Sequence, residues 1–363
     1  MAQIELKSLS KSFKTGKVLD GLDLSVEQGE IVCIFGPSGA GKTVLLRLIA
    51  GVEEPDEGAI FLEGRDVTDA APETRGVGIA FQNFALFPHM SAFDNIGSAL
   101  TAHGASAATI KAKVEKVAAM LKISHVLSHA PRALSNGQKQ RTALARALAA
   151  DPKIVLLDDP LRNVDAKLRY EMRLELPSLL RASGATVLYV TQDYKEAMAI
   201  GDRIAVLIDG RFEQVATPAS IYRAPVSVGV ARLFGDPTIN LIPVKPRATD
   251  AGAACEISGA SVPLGAEHAQ ATGRPVLLGL RPESLSIVDE TGPDGFPVDV
   301  VAVTPLNEKS VLLMRTRDGQ EIFASEAGIE NETREPGPAF ARFDPSRALM
   351  FDEASGSRIG GRT

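Results

Sequence analysis

A run of apolar and β-branched residues, Ile31, Val32, Cys33, Ile34 and Phe35, passes straight into Gly36, Pro37, Ser38, Gly39, Ala40, Gly41, Lys42 and Thr43, and then into the apolar stretch that opens with Val44 and Leu45. A short continuous apolar run bounded by glycine reads as a buried strand, and the longer apolar stretch beyond it reads as a helix. The eight residues fit the spacing G-x-x-x-x-G-K-[ST]. In that pattern glycines let backbone N–H groups close on phosphate oxygens, while the helix N-terminus adds the positive end of its dipole. Lys42 is then placed to reach the β- and γ-phosphates, and the Thr43 hydroxyl to face Mg²⁺. The strand before and the helix after separate this pattern from a chance glycine turn.

Composition sets the bounds. With 363 residues, 45% of them hydrophobic, the chain can bury ample core in two domains or more. A formal charge of -6 and a pI near 5.6 argue against wrapping nucleic acid, which needs clustered positive charge, so no nucleic-acid partner is expected. The two cysteines, Cys33 and Cys255, form no disulfide or metal pattern and fit a reducing cytosol, with Cys33 a small core residue. The sequence holds no apolar run of about 18 residues, and its first residues read as a strand rather than a signal peptide.

A phosphate loop leaves the machine open, and four further segments choose among machines. Residues 79–82 read as a strand ending at Gln82, followed by an aromatic, proline-containing loop through residue 90. Leu134, Ser135, Asn136, Gly137 and Gln138 precede a long helix read as starting at Lys139. Residues 153–158 form a buried-type strand ending at Asp158, with Asp159, Pro160 and then residues 162–165 behind it. Residues 186–191 are another apolar strand, ending at Gln192 and Asp193.

In this order and spacing the segments resemble the ATP-binding-cassette (ABC) ATPases, specifically the subunits of bacterial sugar and polyol importers, over essentially the whole chain. The resemblance implies an α/β P-loop NTPase cassette over residues 1–235, with a helical subdomain at about 85–150. It also implies a C-terminal all-β regulatory or dimerisation domain of oligonucleotide-fold-like type over residues 236–363. ATP and Mg²⁺ are the implied cofactors. Phe13 matches the aromatic that stacks on adenine, Gln82 the residue that touches Mg²⁺ and the attacking water, Asp158 the carboxylate that holds Mg²⁺, and Asp165 a residue at the dimer seam. Ser135, Gly137 and Gln138 match the loop that caps nucleotide on the opposite subunit. The implied partners are a second ABC ATPase subunit, two transmembrane permease subunits and, indirectly, a periplasmic or extracellular solute-binding protein. The chain would sit peripherally on the cytoplasmic face, with permease helices near Phe84, Phe87 and Pro88. Each of those aromatics taken singly reads equally well as ordinary core.

Four positions depart from the family pattern. Asp159 stands where a glutamate acts as base, one methylene short, which sets the carboxylate back by about 1 Å, an offset that can cost ~10²-fold. Gln192 replaces a histidine and cannot carry a positive charge. Asn136 replaces a glycine, as a residue tolerant of positive φ. Arg162 puts a bulky cation where a serine is common. Asp159, Gln192 and Gln82 are thus the catalytic positions, and two of the three are altered, whereas the residues serving the partner's nucleotide are kept. The expectation is a degenerate half of a heterodimer with a non-identical cassette. A slow homodimer using Asp159 as base and a non-hydrolysing, nucleotide-gated structural subunit remain as alternatives. A soluble P-loop kinase would not need residues 134–138, and a chromosome-maintenance ATPase would insert coiled coil for which no sustained heptads exist here.

Elsewhere, Ile110, Val114, Val117 and Leu121 recur at helical spacing, and residues 165–182 read as a helix that Pro177 should kink or end. Residues 202–208 read as a strand closed by an Asp209-Gly210 turn. Beyond residues 234–237 short β-like runs, such as 275–282 and 321–324, suggest a small barrel or sandwich. Residues 279–283 resemble a turn of the family's C-terminal domain, and the Gly-, Ser- and Arg-rich tail from 355 to 363 is expected to fray.

Overall fold

Strands β1 (Ala2–Phe13) and β2 (Gly16–Glu27) pair antiparallel, and their alternating apolar residues, among them Ile4, Leu6, Leu22 and Leu24, turn to one side into a buried core. The computed structural model describes residues 2–250, 252–289, 292, 295–306, 309–327 and 334–360, which divide into two compact units, Met1–Pro218 and Ala219–Thr363. In the first unit the chain continues through β3 (Ile31–Phe35), α1 (Lys42–Ala50), β4 (Glu57–Leu62), β5 (Arg65–Asp66) and β6 (Val77–Ala80). Helices α2 (Ala92–Ala102), α3 (Ala107–Met120) and α4 (Asn136–Leu148) follow. Then come β7 (Ile154–Asp158), α5 (Ala166–Ser183), β8 (Thr186–Thr191), α6 (Tyr194–Ile200) and the hairpin of β9 (Arg203–Ile208) and β10 (Arg211–Ala216). Asp209 and Gly210 both adopt positive φ at that hairpin, as a two-residue primed turn requires.

Two sheets result. One is four-stranded, ordered β2-β1-β4-β5; the other is six-stranded, ordered β10-β9-β3-β8-β7-β6, and is parallel apart from the terminal hairpin. β3, β7 and β8 are buried at every position, which is why each reads in sequence as an unbroken apolar run rather than an alternating one. Phe35 stands in register with Thr191, and Asp158 with Val190. The carboxyl ends of β3, β7 and β8 therefore share one edge, where open α/β sheets hold ligands.

Helices α2, α3 and α4 pack on one another. Capping decides where they begin: the Ser91 and Asp94 side chains cap α2 reciprocally, and Ser135 and Gln138 do the same for α4. Because Ser135 is the N-cap, α4 starts three residues before the expected Lys139, and Asn136 is its first helical residue, with no positive φ to tolerate. β6 ends at Ala80, so Gln82 lies in the turn after it rather than at the strand end. α5 runs through Pro177 without a break. Proline removes one N–H from the helix, yet Met172, Leu176 and Leu180 bury a continuous apolar stripe that holds both sides of the site.

The second unit begins with α7 (Pro218–Arg223) and α8 (Val228–Leu233), followed by β11 (Asn240–Val244), β12 (Arg247–Thr249), β13 (Gly252–Ile257), β14 (Ala260–Pro263), β15 (Val276–Leu280) and β16 (Leu285–Val288). It closes with β17 (Gly295–Leu306), β18 (Lys309–Thr316), β19 (Glu321–Ala327), β20 (Gly337–Phe343) and β21 (Leu349–Asp352). These strands form three antiparallel sheets, β11-β15-β21, β12-β13-β14 and β16-β20-β17-β18-β19, around a core that includes Leu278, Phe296, Met314 and Ile322. Asn240 joins two of the sheets by donating to Phe323 O at 2.8 Å and accepting from Phe323 N at 2.7 Å. Gly279 and Leu280 belong to β15, and the turn proper is Arg281–Ser284, where the buried Arg281 lies 3.8 Å from the Tyr222 ring centroid and donates to Tyr222 O at 2.8 Å. The tail is not frayed through residue 360: Arg358 N donates to Val226 O at 2.9 Å and Ile359 N to Met350 O at 2.8 Å. The last three residues lie outside the described set.

A side-chain carbon added at Gly36 would lie 2.1 Å from the Leu207 carbonyl oxygen of β9. Backbone cannot yield as a side chain does, so Gly36→Ala should destabilise the first unit by at least ~1–3 kcal/mol, read as a shift of the urea midpoint at constant slope.

Candidate nucleotide site

The turn from β3 into α1 uses Gly39 and Gly41 at φ 85° and 98°, and α1 has no side-chain cap. Its first-turn amides are left for a ligand, the arrangement that suits an anion. A cleft of about 210 Å³ opens there, lined by Val18, Ser38, Gly39, Gly41, Lys42, Thr43, Val44, Gln82, Asp158, Asp159, Arg162, Val190 and Gln192. That is below the ~300–1,000 Å³ of ordinary small-molecule pockets, so it suits a phosphate chain with the remainder of a nucleotide outside. Lys42 is buried, and its Nζ donates to Gly36 O at 2.8 Å and Pro37 O at 2.7 Å. Burial lowers its pKa, while Asp159 and Asp158 work in the opposite direction.

Two adjacent carboxylates face this lysine. Asp158, the last residue of β7, accepts from Thr43 Oγ1 at 3.0 Å. Its pKa is raised chiefly by burial, against the Thr43 hydrogen bond and the charges of Arg47 and Lys42. A hydroxyl and a carboxylate oxygen side by side are hard donors that fit Mg²⁺. Asp159 turns out of the strand at φ 45° and is tied through its N–H to Val190 O at 2.9 Å. Its Oδ2 accepts from Gln192 Nε2 at 3.1 Å and faces Arg162 Nη1 at 3.7 Å. Burial raises the Asp159 pKa first, with the Asp158 charge adding to it and Arg162, Gln192 and Lys42 opposing. Three of the four departures from the family pattern thus meet at one carboxylate oxygen.

The remaining candidates sit elsewhere or play a supporting part. Gly36, Pro37 and Ala40 belong to the loop but do not line the cleft, and Phe13 is 41% exposed away from its walls, with Lys11 Nζ 5.5 Å from its ring. Ser135 and Gln138 cap α4, and Gly137 is buried against Leu168; none of the three lines this cleft. Asp165 caps α5 by accepting from Leu168 N at 3.0 Å. Phe87 is exposed and Phe84 half-buried in the loop after Gln82. That loop is held by Arg146 of α4, which donates to Ala85 O at 2.6 Å and Phe84 O at 3.1 Å.

Residues 19–162 match the ABC transporter family, and residues 235–285 match the MalK OB fold domain. The sn-glycerol-3-phosphate import ATP-binding protein UgpC of Cereibacter sphaeroides is 39% identical over 359 residues, 99% of this chain and 100% of its own. The chain belongs to the ABC transporter ATP-binding proteins. The UgpC protein of Ruegeria sp. is 41% identical over 99% of both chains, and the diacetylchitobiose uptake system ATP-binding protein MsiK of Streptomyces coelicolor 42% over 77% of this chain and 74% of its own. Among solved structures, the dimeric bacterial ABC transporter cassette MJ0796 aligns at TM-score 0.55 and 32% identity, covering 59% of this chain and 98% of that one.

As an ABC cassette joined to an OB-type β domain, the chain carries site residues that its motifs did not announce. Val18 and Val190 wall the cleft, and Asn163 Nδ2 donates to Gln82 O at 2.8 Å; apolar walls and a lone asparagine give no pattern in a sequence. Glu196 of α6 is 1% exposed, and its Oε2 accepts from Tyr189 OH at 2.9 Å and Thr191 Oγ1 at 3.0 Å. Thr191 Oγ1 in turn accepts from Asp193 N at 3.0 Å, so Glu196 braces both sides of Gln192.

Burial pushes the Glu196 carboxyl up from 4.5 to about 7, with Asp193 and Asp159 adding to the rise and its two hydrogen bonds opposing it. The folded chain keeps a proton that the unfolded chain releases across that interval, so this group's contribution is full below pH 4.5 and is lost as pH rises through 7. Glu196→Gln should remove that slope, so the variant gains stability on wild type by up to about 3 kcal/mol between pH 5 and pH 8. Urea titrations at the two pH values check it; a constant difference would refute it.

Proposed function

We propose that this chain is an ATP-binding subunit of an importer for a sugar or polyol, with a phosphorylated polyol such as sn-glycerol 3-phosphate favoured by the names of its full-length relatives. The cassette of residues 1–235 holds nucleotide, and the β domain of residues 236–363 supports dimerisation. Lys42 and the amides at the start of α1 hold the phosphate chain, Thr43 and Asp158 hold Mg²⁺, and Gln82 orients toward it. When bound, the metal neutralises phosphate charge. Ser135, Gly137 and Gln138 cap the nucleotide of a second cassette. Two permease subunits meet the loop at Phe84, Phe87 and Pro88 and keep the chain on the cytoplasmic face, with a solute-binding protein delivering cargo to them. Among the described residues no helix is long and apolar enough to cross a membrane, in keeping with a borrowed anchor.

The chain's own site is hydrolysis-impaired, and the partner is a non-identical cassette with an intact base and histidine. The observation that carries the impaired site is that Asp159 Oδ2 accepts from Gln192 Nε2 at 3.1 Å with the Arg162 guanidinium 3.7 Å from the same oxygen. A base must present a free lone pair within reach of the proton it takes. Here the carboxylate is one methylene short, and the amide of Gln192 and the charge of Arg162 at one of its oxygens both work against its taking a proton. A slow homodimer using Asp159 as base is the second reading, and what favours it is that Asp159 still lines the cleft.

The purified chain alone should turn ATP over slowly, and Asp159→Glu combined with Gln192→His should raise the rate by ~10²-fold or more, the size of effect expected where placement limits catalysis. Brisk hydrolysis by the unaltered chain, abolished by Asp159→Asn, would sink the impaired-site reading in favour of the homodimer.

A further inference from the structure

We propose that Arg162 is a second phosphate-binding cation of this site, one that makes it selective for a nucleoside triphosphate over a diphosphate. The proposal rests on the nucleotide-site reading but not on whether the site hydrolyses. Arg162 is held in place by its own backbone, its N–H donating to Asp159 O at 3.2 Å and its carbonyl accepting from Arg169 Nη2 at 3.2 Å. Its side chain lines the cleft at the end where Asp158, Asp159, Gln82 and Gln192 converge, and it lies close enough to Lys42 for the two charges to oppose each other.

The guanidinium is uncommitted. At 3.7 Å from Asp159 Oδ2 it is paired in charge but too far for a hydrogen bond, and among the described residues its five N–H donors meet no acceptor. The side chain remains 48% exposed toward the cleft and solvent. Lys42 differs, because its ammonium already spends two donors on Gly36 O and Pro37 O. Gln192, at the other side of Asp159, brings no charge. A guanidinium binds phosphate oxygens through a planar fork, so the terminal phosphoryl group is the ligand whose charge and geometry match what Arg162 offers. Asp159 competes for the same cation and acts as its resting counter-ion.

The test is calorimetric titration of the full-length chain with the Mg²⁺ complexes of a non-hydrolysable ATP analogue and of ADP. Arg162→Ser should weaken the triphosphate at least about tenfold, the loss of a charge-assisted contact, and move the diphosphate less than about twofold. Arg162→Lys, which keeps the charge and lacks the fork, should fall between. Asp159→Asn, which releases the cation, should tighten the triphosphate in the parent chain and lose that gain in the Arg162→Ser background. Equal losses for both nucleotides, or strictly additive effects of the two substitutions, would overturn the proposal. The turnover measurement on Asp159→Glu with Gln192→His is independent, since a briskly hydrolysing chain could still show selective loss of triphosphate with Arg162→Ser, and an impaired one could show none.

Discussion

The dry edge where β3, β7 and β8 end together is the constraint from which the rest of the site follows. Because these strands are buried along their whole length, their carboxyl ends are fixed in register, and the residues just beyond them have little freedom to drift. Lys42, Asp158 and Asp159 are thereby held in one low-dielectric cleft, where burial raises the two carboxylates and lowers the lysine. The opposed shifts are moderated because the groups face each other, so the cluster tolerates burial that any one of them alone would resist. It is a cleft whose opposed charges are balanced against one another.

Into this arrangement the chain places three residues that its family uses differently. Asp159, Gln192 and Arg162 come from two separate segments, yet they converge on a single carboxylate oxygen. A short acid leaves room, and a neutral amide and a loosely paired cation fill it. The three departures are neighbours in space although Gln192 lies some thirty residues from the other two in the chain.

Much of this was legible in the chain itself. Strands buried on both faces announce themselves as unbroken apolar runs, and the glycine loop between β3 and α1 has a spacing that backbone geometry enforces. What was not legible depended on which side chains the fold brings into contact, whether near or far in the chain. α4 starts earlier than its apolar pattern implies because the Ser135–Gln138 capping box sets its N-terminus, which leaves Asn136 helical with no positive φ to tolerate. A proline argues for a break in α5, but burial of Met172, Leu176 and Leu180 outweighs one missing donor at Pro177. Val18 lines the cleft without standing out in the sequence, because which residue faces a cleft is decided by how a hairpin lies over it. Asn163 lies in a segment noted for its neighbours, and only the fold brings it to Gln82, while Glu196 gives no sign in the sequence that it turns back to Tyr189 and Thr191.

Arg146 joins two places that the chain keeps some sixty residues apart. Its guanidinium grips consecutive carbonyls of Phe84 and Ala85, both in left-handed backbone, from the far end of the helix whose opposite end is capped by Ser135. One end of this helix is bonded to a loop, and the other is closed by a capping box. The loop at residues 84–85 and the start of α4 at Ser135 are thus tied to one and the same helix.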